Sequence, residues 1–312
     1  MRIKTIKTLF ITLLMFLSSV GAWAEENVYS YTLVNQDYSD VSRESEKWRI
    51  GSGMSLSQTL RKDDDYYYTM TFGNSSNGPS TANYTLPDLT SYVSFKLSFK
   101  WGMYSCSAGN RSSLFKIIGS NGDLGTTGNV AGQSADVTFS SAETKTVLPI
   151  DKYSTSTRGR ANRITKLYNF IIEGVNYGEN ASKGVFLTIQ NESGTETLLD
   201  KVRISDYQNI QQLHFESGQY YGQNAIDDVK LIAYSTEDNV TLPISEMSAD
   251  GINRIVKLTL PSGSSDGTVV KYYTSDDDTP QIYSKPFSTN ANTVYYYSES
   301  QSGTKSELQT LV

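Results

Sequence analysis

Val93-Ser94-Phe95-Lys96-Leu97-Ser98-Phe99-Lys100-Trp101-Gly102-Met103 is the stretch that decides how this chain is built. Its large apolar residues fall on odd positions, and its lysines, serines and glycine fall on even ones. That is the period of a strand with one face in a core and the other in water. The pattern continues outward in both directions. Tyr66, Tyr68, Met70 and Phe72 alternate in the same way, which predicts that Tyr67 and Thr69 face outward. Gly184 to Ile189 and Thr197 to Ile204 flank the turn residues Asn191-Glu192-Ser193-Gly194, and Ala225 to Ile232 forms a last strand. No window has the spacing of an amphipathic helix, so the expected fold is all-β.

The ends of the chain set its address. Residues 1 to 24 begin with Arg2, Lys4 and Lys7, continue through an apolar run from Leu9 to Leu17, and end on Ala22-Trp23-Ala24. This is the layout of a secretory signal peptide cut after Ala24. The apolar run is shorter than the roughly 20 residues a bilayer span needs, and no later segment reaches that length, so no membrane insertion is expected. The expected product is secreted, whether extracellular or periplasmic. The signal carries three of the 27 basic residues and none of the 33 acids, so its removal moves the formal net charge from −6 to −9. Nucleic-acid binding needs clustered lysine and arginine on a basic surface, and this balance argues against such a partner.

Cys106 is the only cysteine and His214 the only histidine. A disulfide framework, a Cys/His zinc site and a multi-histidine metal centre are therefore excluded within one chain. Cys106 reads as a small core residue. A serine triad would have to recruit His214, and no Gly-x-Ser-x-Gly elbow accompanies it.

About 290 residues remain after the signal, enough for two domains on the usual size prior. The polar run Ser235-Thr236-Glu237-Asp238-Asn239 before Pro243 places the boundary, giving a larger unit at 25–236 and a smaller one at 237–312. In the smaller unit, Tyr272, Tyr273, Thr279, Pro280, Tyr283, Ser284, Pro286, Phe287, Val294 to Tyr297 and Gly303 resemble the chitobiase/β-hexosaminidase C-terminal-like domain. That resemblance implies a small immunoglobulin-like β-sandwich, an accessory part of polysaccharide-processing proteins. In the larger unit, Phe99-Lys100-Trp101, Ser120-Asn121-Gly122-Asp123, Leu187 to Asn191 and Ala225-Ile226-Asp227-Asp228-Val229 resemble concanavalin A-like jelly rolls of lectin and carbohydrate-binding domains. Two stacked sheets also remove the exposed edges of many short strands. The fold class expected is thus a jelly-roll β-sandwich followed by a small immunoglobulin-like one.

Two kinds of site follow. Strict alternation puts Asp227 on one face with Val229 and Leu231, the buried one, where a carboxylate needs hydrogen bonds, a counter-charge or a cation. Jelly rolls with a similar ending hold a structural calcium there. The resemblance therefore implies Ca2+ on Asp227, with Asp37 and Asn35 of the first strand region as further oxygen ligands. Exposed rings beside amides suit a glycan, because a pyranose stacks on the ring while its hydroxyls meet polar neighbours. Trp48, Tyr67, Tyr220 and Tyr221, with Asn224 nearby, are the candidates for a polysaccharide or glycan partner.

His214-Phe215-Glu216-Ser217-Gly218-Gln219-Tyr220 is similar to the late strand of jelly-roll alginate lyases, in which a tyrosine at the place of Tyr220 is the acid/base residue. Glu216 stands where that family has a lysine, and its other signatures are absent. No paired-carboxylate motif of the glucanase type occurs either. The expectation is a non-enzymatic, carbohydrate-binding accessory protein. The alternatives are a divergent lyase or hydrolase on the same frame and a structural surface or adhesin segment.

Overall fold

The computed structural model describes residues 28–36, 47–51, 54–60, 66–72, 80–105, 112–142, 144–152, 164–177, 182–217 and 223–312. The signal segment, Asp37, Cys106, Tyr220 and Tyr221 lie outside the described residues. Every regular element among those described is a strand, apart from single helical-turn residues at Lys47 and Ser182.

Two large sheets face one another. One joins, in order, β13 (Thr197–Ser205), β12 (Gly184–Asn191), β11 (Tyr168–Val175), β6 (Ser94–Tyr104), β15 (Gln223–Ser235), β4 (Tyr66–Phe72) and β3 (Met54–Leu60), with β1 (Tyr29–Gln36) also pairing on β15. The other joins β10 (Lys145–Pro149), β9 (Asp136–Ser140), β8 (Gly122–Ala131), β7 (Ser112–Gly119), β14 (Ile210–Ser217), β5 (Ser80–Thr85) and β2 (Trp48–Ile50). The chain crosses repeatedly between the two, as in a jelly roll, and every described pairing between these strands is antiparallel.

The alternation read from residues 93–103 is the reason the sheets can stack. Phe95, Leu97, Phe99, Trp101 and Met103 are all at most 2 % exposed and point at the opposing sheet. Phe99, Trp101 and Phe170 from the eight-stranded sheet meet Phe115, Phe139 and Phe215 from the seven-stranded one. Trp101 lies 5.3 Å from Phe115, Phe139 lies 5.0 Å from Phe170, and Phe115 lies 5.1 Å from Phe215. Each such pair is worth about 0.5–1.5 kcal/mol beyond the burial of its area. Tyr84 and Phe215 in turn hold Trp48, which is 4 % exposed.

Part of the outer face of the eight-stranded sheet is covered too. Ile164 and Leu167 pack on Tyr104 and Ala225 as a second, smaller core. Asp151 pins this strap, accepting from Thr165 N at 2.7 Å, Thr165 Oγ1 at 2.8 Å and Lys166 N at 3.1 Å. Gly102 makes the close approach possible, since a Cβ there would stand 2.5 Å from the Lys166 carbonyl oxygen.

Beyond Ser235 the pairing changes. The strands β16 (Ile244–Asp250), β17 (Asn253–Thr259) and β20 (Phe287–Thr289) form a three-stranded sheet. The strands β19 (Asp277–Ile282), β18 (Val269–Thr274), β21 (Val294–Glu299) and β22 (Gln309–Leu311) form a four-stranded one. Val256 and Leu258 of the first meet Val270, Val294 and Tyr296 of the second in a core of their own, with Tyr272, Tyr283 and Phe287 packed against it. Pro280 sits in the fully exposed edge strand β19, where a missing N–H costs least. The first strand is clasped to this part of the chain. Tyr31 Oη donates to the Glu237 carbonyl at 2.6 Å, and Asp266 accepts from Thr32 N and Ser30 Oγ, each at 2.9 Å.

Candidate functional site

The outer face of the seven-stranded sheet carries the one histidine, and pairing register shows what accompanies it. Arg49 of β2 pairs with Asn83 of β5, and Asn83 pairs with His214 of β14. His214 then pairs with Lys116 of β7, and Lys116 with Thr127 of β8. Residues in direct register share a face, so these five side chains make one row running across the strands. Four steps of about 4.8 Å give it a length of roughly 19 Å. Arg49 is exposed and the other four are half-buried.

The middle of the row is organised around the imidazole. His214 Nδ1 lies 2.6 Å from Asn83 Oδ1, and Nε2 lies 3.0 Å from Glu216 Oε1. Glu216 is two residues further on the same strand, hence on the same face. Lys116 Nζ approaches Asp123 at 3.3 Å, with about a third of each side chain exposed. The row is a rigid array of hydrogen-bonding groups of both signs, held at fixed spacing by the ladder beneath it. Both ring nitrogens of His214 are already engaged, so in this arrangement the ring orients its neighbours. A general base needs a nitrogen free to reach the proton it removes.

The glycan candidates read from sequence divide differently. Trp48 is not an exposed ring: strand parity turns it inward, onto Tyr84 and Phe215. Asn224 is not a surface amide either. It is fully buried, accepts from Trp101 Nε1 at 3.2 Å, and donates to the Glu216 carbonyl at 3.4 Å, so it ties the two sheets together. Tyr67 stands in register with Thr59 of β3, on the row expected to face outward, and its side chain lies outside the described residues. Tyr220 and Tyr221 lie outside them as well. Sequence reasoning missed Arg49, Asn83, Lys116 and Thr127 as a set, because only pairing between distant strands brings them together.

The Asp227 site is corrected by a bulge. On β15 the register against β6 slips between Asp227, opposite Lys100, and Lys230, opposite Ser98. One extra residue reverses the parity of everything after it. Ile226 faces inward before the slip and Val229 and Leu231 face inward after it, so Asp227 lies on the other face from Val229, beside Lys100. Asp228, within the bulge, has φ of +49°, a left-handed conformation that aspartate tolerates better than most residues.

Asp227 is nevertheless fully buried. The nearby positive charge comes from Lys100, whose Nζ is 2.6 Å from Asp228 Oδ2. Burial works against the Lys100 ammonium. The hydrogen bond it donates to Asp228 and the charges of Asp228, Asp227 and Glu192 outweigh that and hold its pKa above the usual lysine value. Of the other expected calcium ligands, Asn35 is exposed on β1 opposite Lys230, and Asp37 lies outside the described residues. Among the described residues no three His, Cys, Asp or Glu side chains stand close enough to hold a metal ion. Among the described residues Asp227 has Lys100 as its register neighbour and no set of oxygen ligands around it. The expected result is a melting curve of metal-free protein that calcium leaves in place. A rise in melting temperature with calcium, absent in Asp227→Ala, would return the ion to this site.

No family model and no curated protein matches this chain. Among solved structures, the chain is similar to a cellulose induced protein, Cip1, at 12 % identity, over 65 % of this chain and 97 % of that one, with a TM-score of 0.36. A second is the carbohydrate recognition domain of Emp47p, at 12 % identity, 69 % and 100 % coverage and a TM-score of 0.36. A third is the polysaccharide lyase family 7 alginate lyase AlgAT5, at 9 % identity, 61 % and 94 % coverage and a TM-score of 0.35. Such distant likenesses carry no ligand or activity over to this chain. Among the described residues no helix is long and apolar enough to cross a membrane.

Proposed function

We propose that this chain is an exported, non-enzymatic glycan-binding protein whose binding surface is the outer face of the seven-stranded sheet. The observation that supports this most is the row Arg49, Asn83, His214, Lys116 and Thr127, an array of donors and acceptors longer than a single sugar. Sugar hydroxyls donate and accept at once, and charged partners make the stronger hydrogen bonds to them. Asp123 balances Lys116, and Glu216 adds a carboxylate beside His214, which favours a neutral polysaccharide over a polyanion. The overall acidic balance is likewise unfavourable to nucleic acid. In this reading residues 25–236 form the binding domain, residues 237–312 an immunoglobulin-like accessory domain, and residues 1–24 a removed export signal.

A second reading, a lyase of the alginate type, keeps one supporting observation: His214, Glu216 and the chain leading to Tyr220 share one strand and its continuation. The test is affinity electrophoresis of the mature protein in gels containing galactomannan, mixed-linkage β-glucan or alginate, with release of unsaturated uronate followed in parallel. Wild type should be retarded by a neutral polymer without releasing product. His214→Ala should weaken retardation about tenfold, because Asn83 and Glu216 lose the ring that orients them and with it about one positioned hydrogen bond to the glycan. Product release that is lost in Tyr220→Phe would establish the lyase instead. Retardation unchanged in both His214→Ala and Lys116→Ala would remove this face from the function.

A further inference from the structure

The four-stranded sheet of the small sandwich also has two faces. Tyr272 and Tyr296 point into its core, so Tyr273 and Tyr295, each one residue away, point out. They stand in register on β18 and β21, with ring centroids 4.8 Å apart and planes 17° from parallel, and both are half-buried. Along the same face, two residues further on each strand, lie Lys271 and Tyr297, themselves a register pair. Lys271 Nζ is 2.7 Å from Glu299 Oε1, and Lys305 Nζ is 3.6 Å from Glu299 Oε2 and 5.4 Å from the centre of the Tyr297 ring. Thr310 of β22 flanks Tyr295 on the other side.

We infer that this face is a second glycan-binding platform, in which the Tyr273–Tyr295 stack takes the apolar face of a neutral pyranose and Lys271, Glu299 and Thr310 take its hydroxyls. The stack leaves each ring one side not covered by the other. A tyrosine offers a rigid ring of large area with a polar tip, the combination a sugar needs. Both ammonium groups are already engaged by the one carboxylate and leave a single surplus positive charge, so the uncharged ring pair is the main contact the face offers and the occupant is a neutral sugar. An aromatic pair serving only the sheet would need nothing beside it, whereas this one adjoins a fixed set of hydrogen-bonding groups. The site is separate from the His214 row, so the two stand or fall independently.

The experiment uses the full mature chain in gels containing galactomannan or mixed-linkage β-glucan, with Tyr273→Ala, Tyr295→Ala, Tyr295→Leu, His214→Ala and Lys116→Ala compared. Sedimentation velocity and melting curves are recorded for each. The platform predicts that all three tyrosine variants lose about fivefold in affinity for at least one of the two polymers. It also predicts that Tyr295→Leu does so with its melting temperature kept within about 2 °C of wild type. Weakening by the tyrosine variants but by neither His214→Ala nor Lys116→Ala would support the platform while overturning the sheet-face reading. Binding that falls only with His214→Ala or Lys116→Ala would do the reverse. The platform is overturned if neither polymer retards wild type. It is equally overturned if the tyrosine variants convert a dimer to a monomer, which would make the face a contact between two copies of the chain.

Discussion

Replacing Lys100 with methionine lowers stability by about 2 kcal/mol, between what exposed and fully buried ion pairs are worth, because Lys100 is 22 % exposed and its partner Asp228 43 %. Asp227 stays buried, and the positive charge of its register neighbour is gone. Asp228 is less affected, because its side chain is 43 % exposed and water screens it. The measurement is the midpoint of urea unfolding at unchanged slope. Adding Asp227→Leu to Lys100→Met should restore part of the loss, since it removes the buried carboxylate while the more exposed Asp228 keeps its charge. A single variant costing less than about 1 kcal/mol would mean that water or other groups neutralise Asp227. The sign of the pH dependence follows from Lys100, whose pKa is raised on folding. A group raised in this way binds its proton more tightly when folded. Its contribution is complete below the ordinary lysine value and is lost as pH climbs past that value through the folded one. Wild type should therefore lose stability in the alkaline range in a step that Lys100→Met lacks.

Asn224→Leu is expected to cost about 3 kcal/mol, because it orphans the buried Trp101 donor and takes a second bond from a part-buried carbonyl. Trp101 Nε1–H loses its acceptor, and the Glu216 carbonyl loses a donor. The second loss reaches the candidate site, since Glu216 is the residue beside His214. Trp101→Phe removes the orphaned donor, so the double variant should be more stable than the sum of the single changes predicts. That excess is the coupling energy a double-mutant cycle reads. Strict additivity would show that the indole and the amide do not act as a pair.

The fold was legible in the sequence because period-two alternation is written out by Val93 to Met103 without interruption, and from Phe95 to Trp101 burial follows it residue by residue. The fate of Asp227 was misread from the same rule. A bulge changes which parity faces the core: Asn224 and Ile226, which face inward before it, are even, whereas Val229, Leu231 and Ala233 after it are odd. The doublet Asp227-Asp228 at the crossover was the sign of an inserted residue. Trp48 was mistaken for a surface ring because a strand of three residues carries too little pattern to fix its face. The row around His214 had no local signal at all. Its members come from five strands, and only the order of strands in the sheet, set by the whole chain, makes them neighbours.

The clasp on the first strand bears on how the chain reaches this state. Among the described residues β1 closes its ladder only against β15, near the far end of the large sandwich, and Ser30 is tied to Asp266 across 236 positions of sequence. Closing so large a loop is entropically slow, and folds dominated by such distant pairings are slow to form. A ribosome delivers β1 first and its partners last. Until they arrive its backbone has no ladder to join, and the chain stays open to whatever machinery handles unfolded polypeptide.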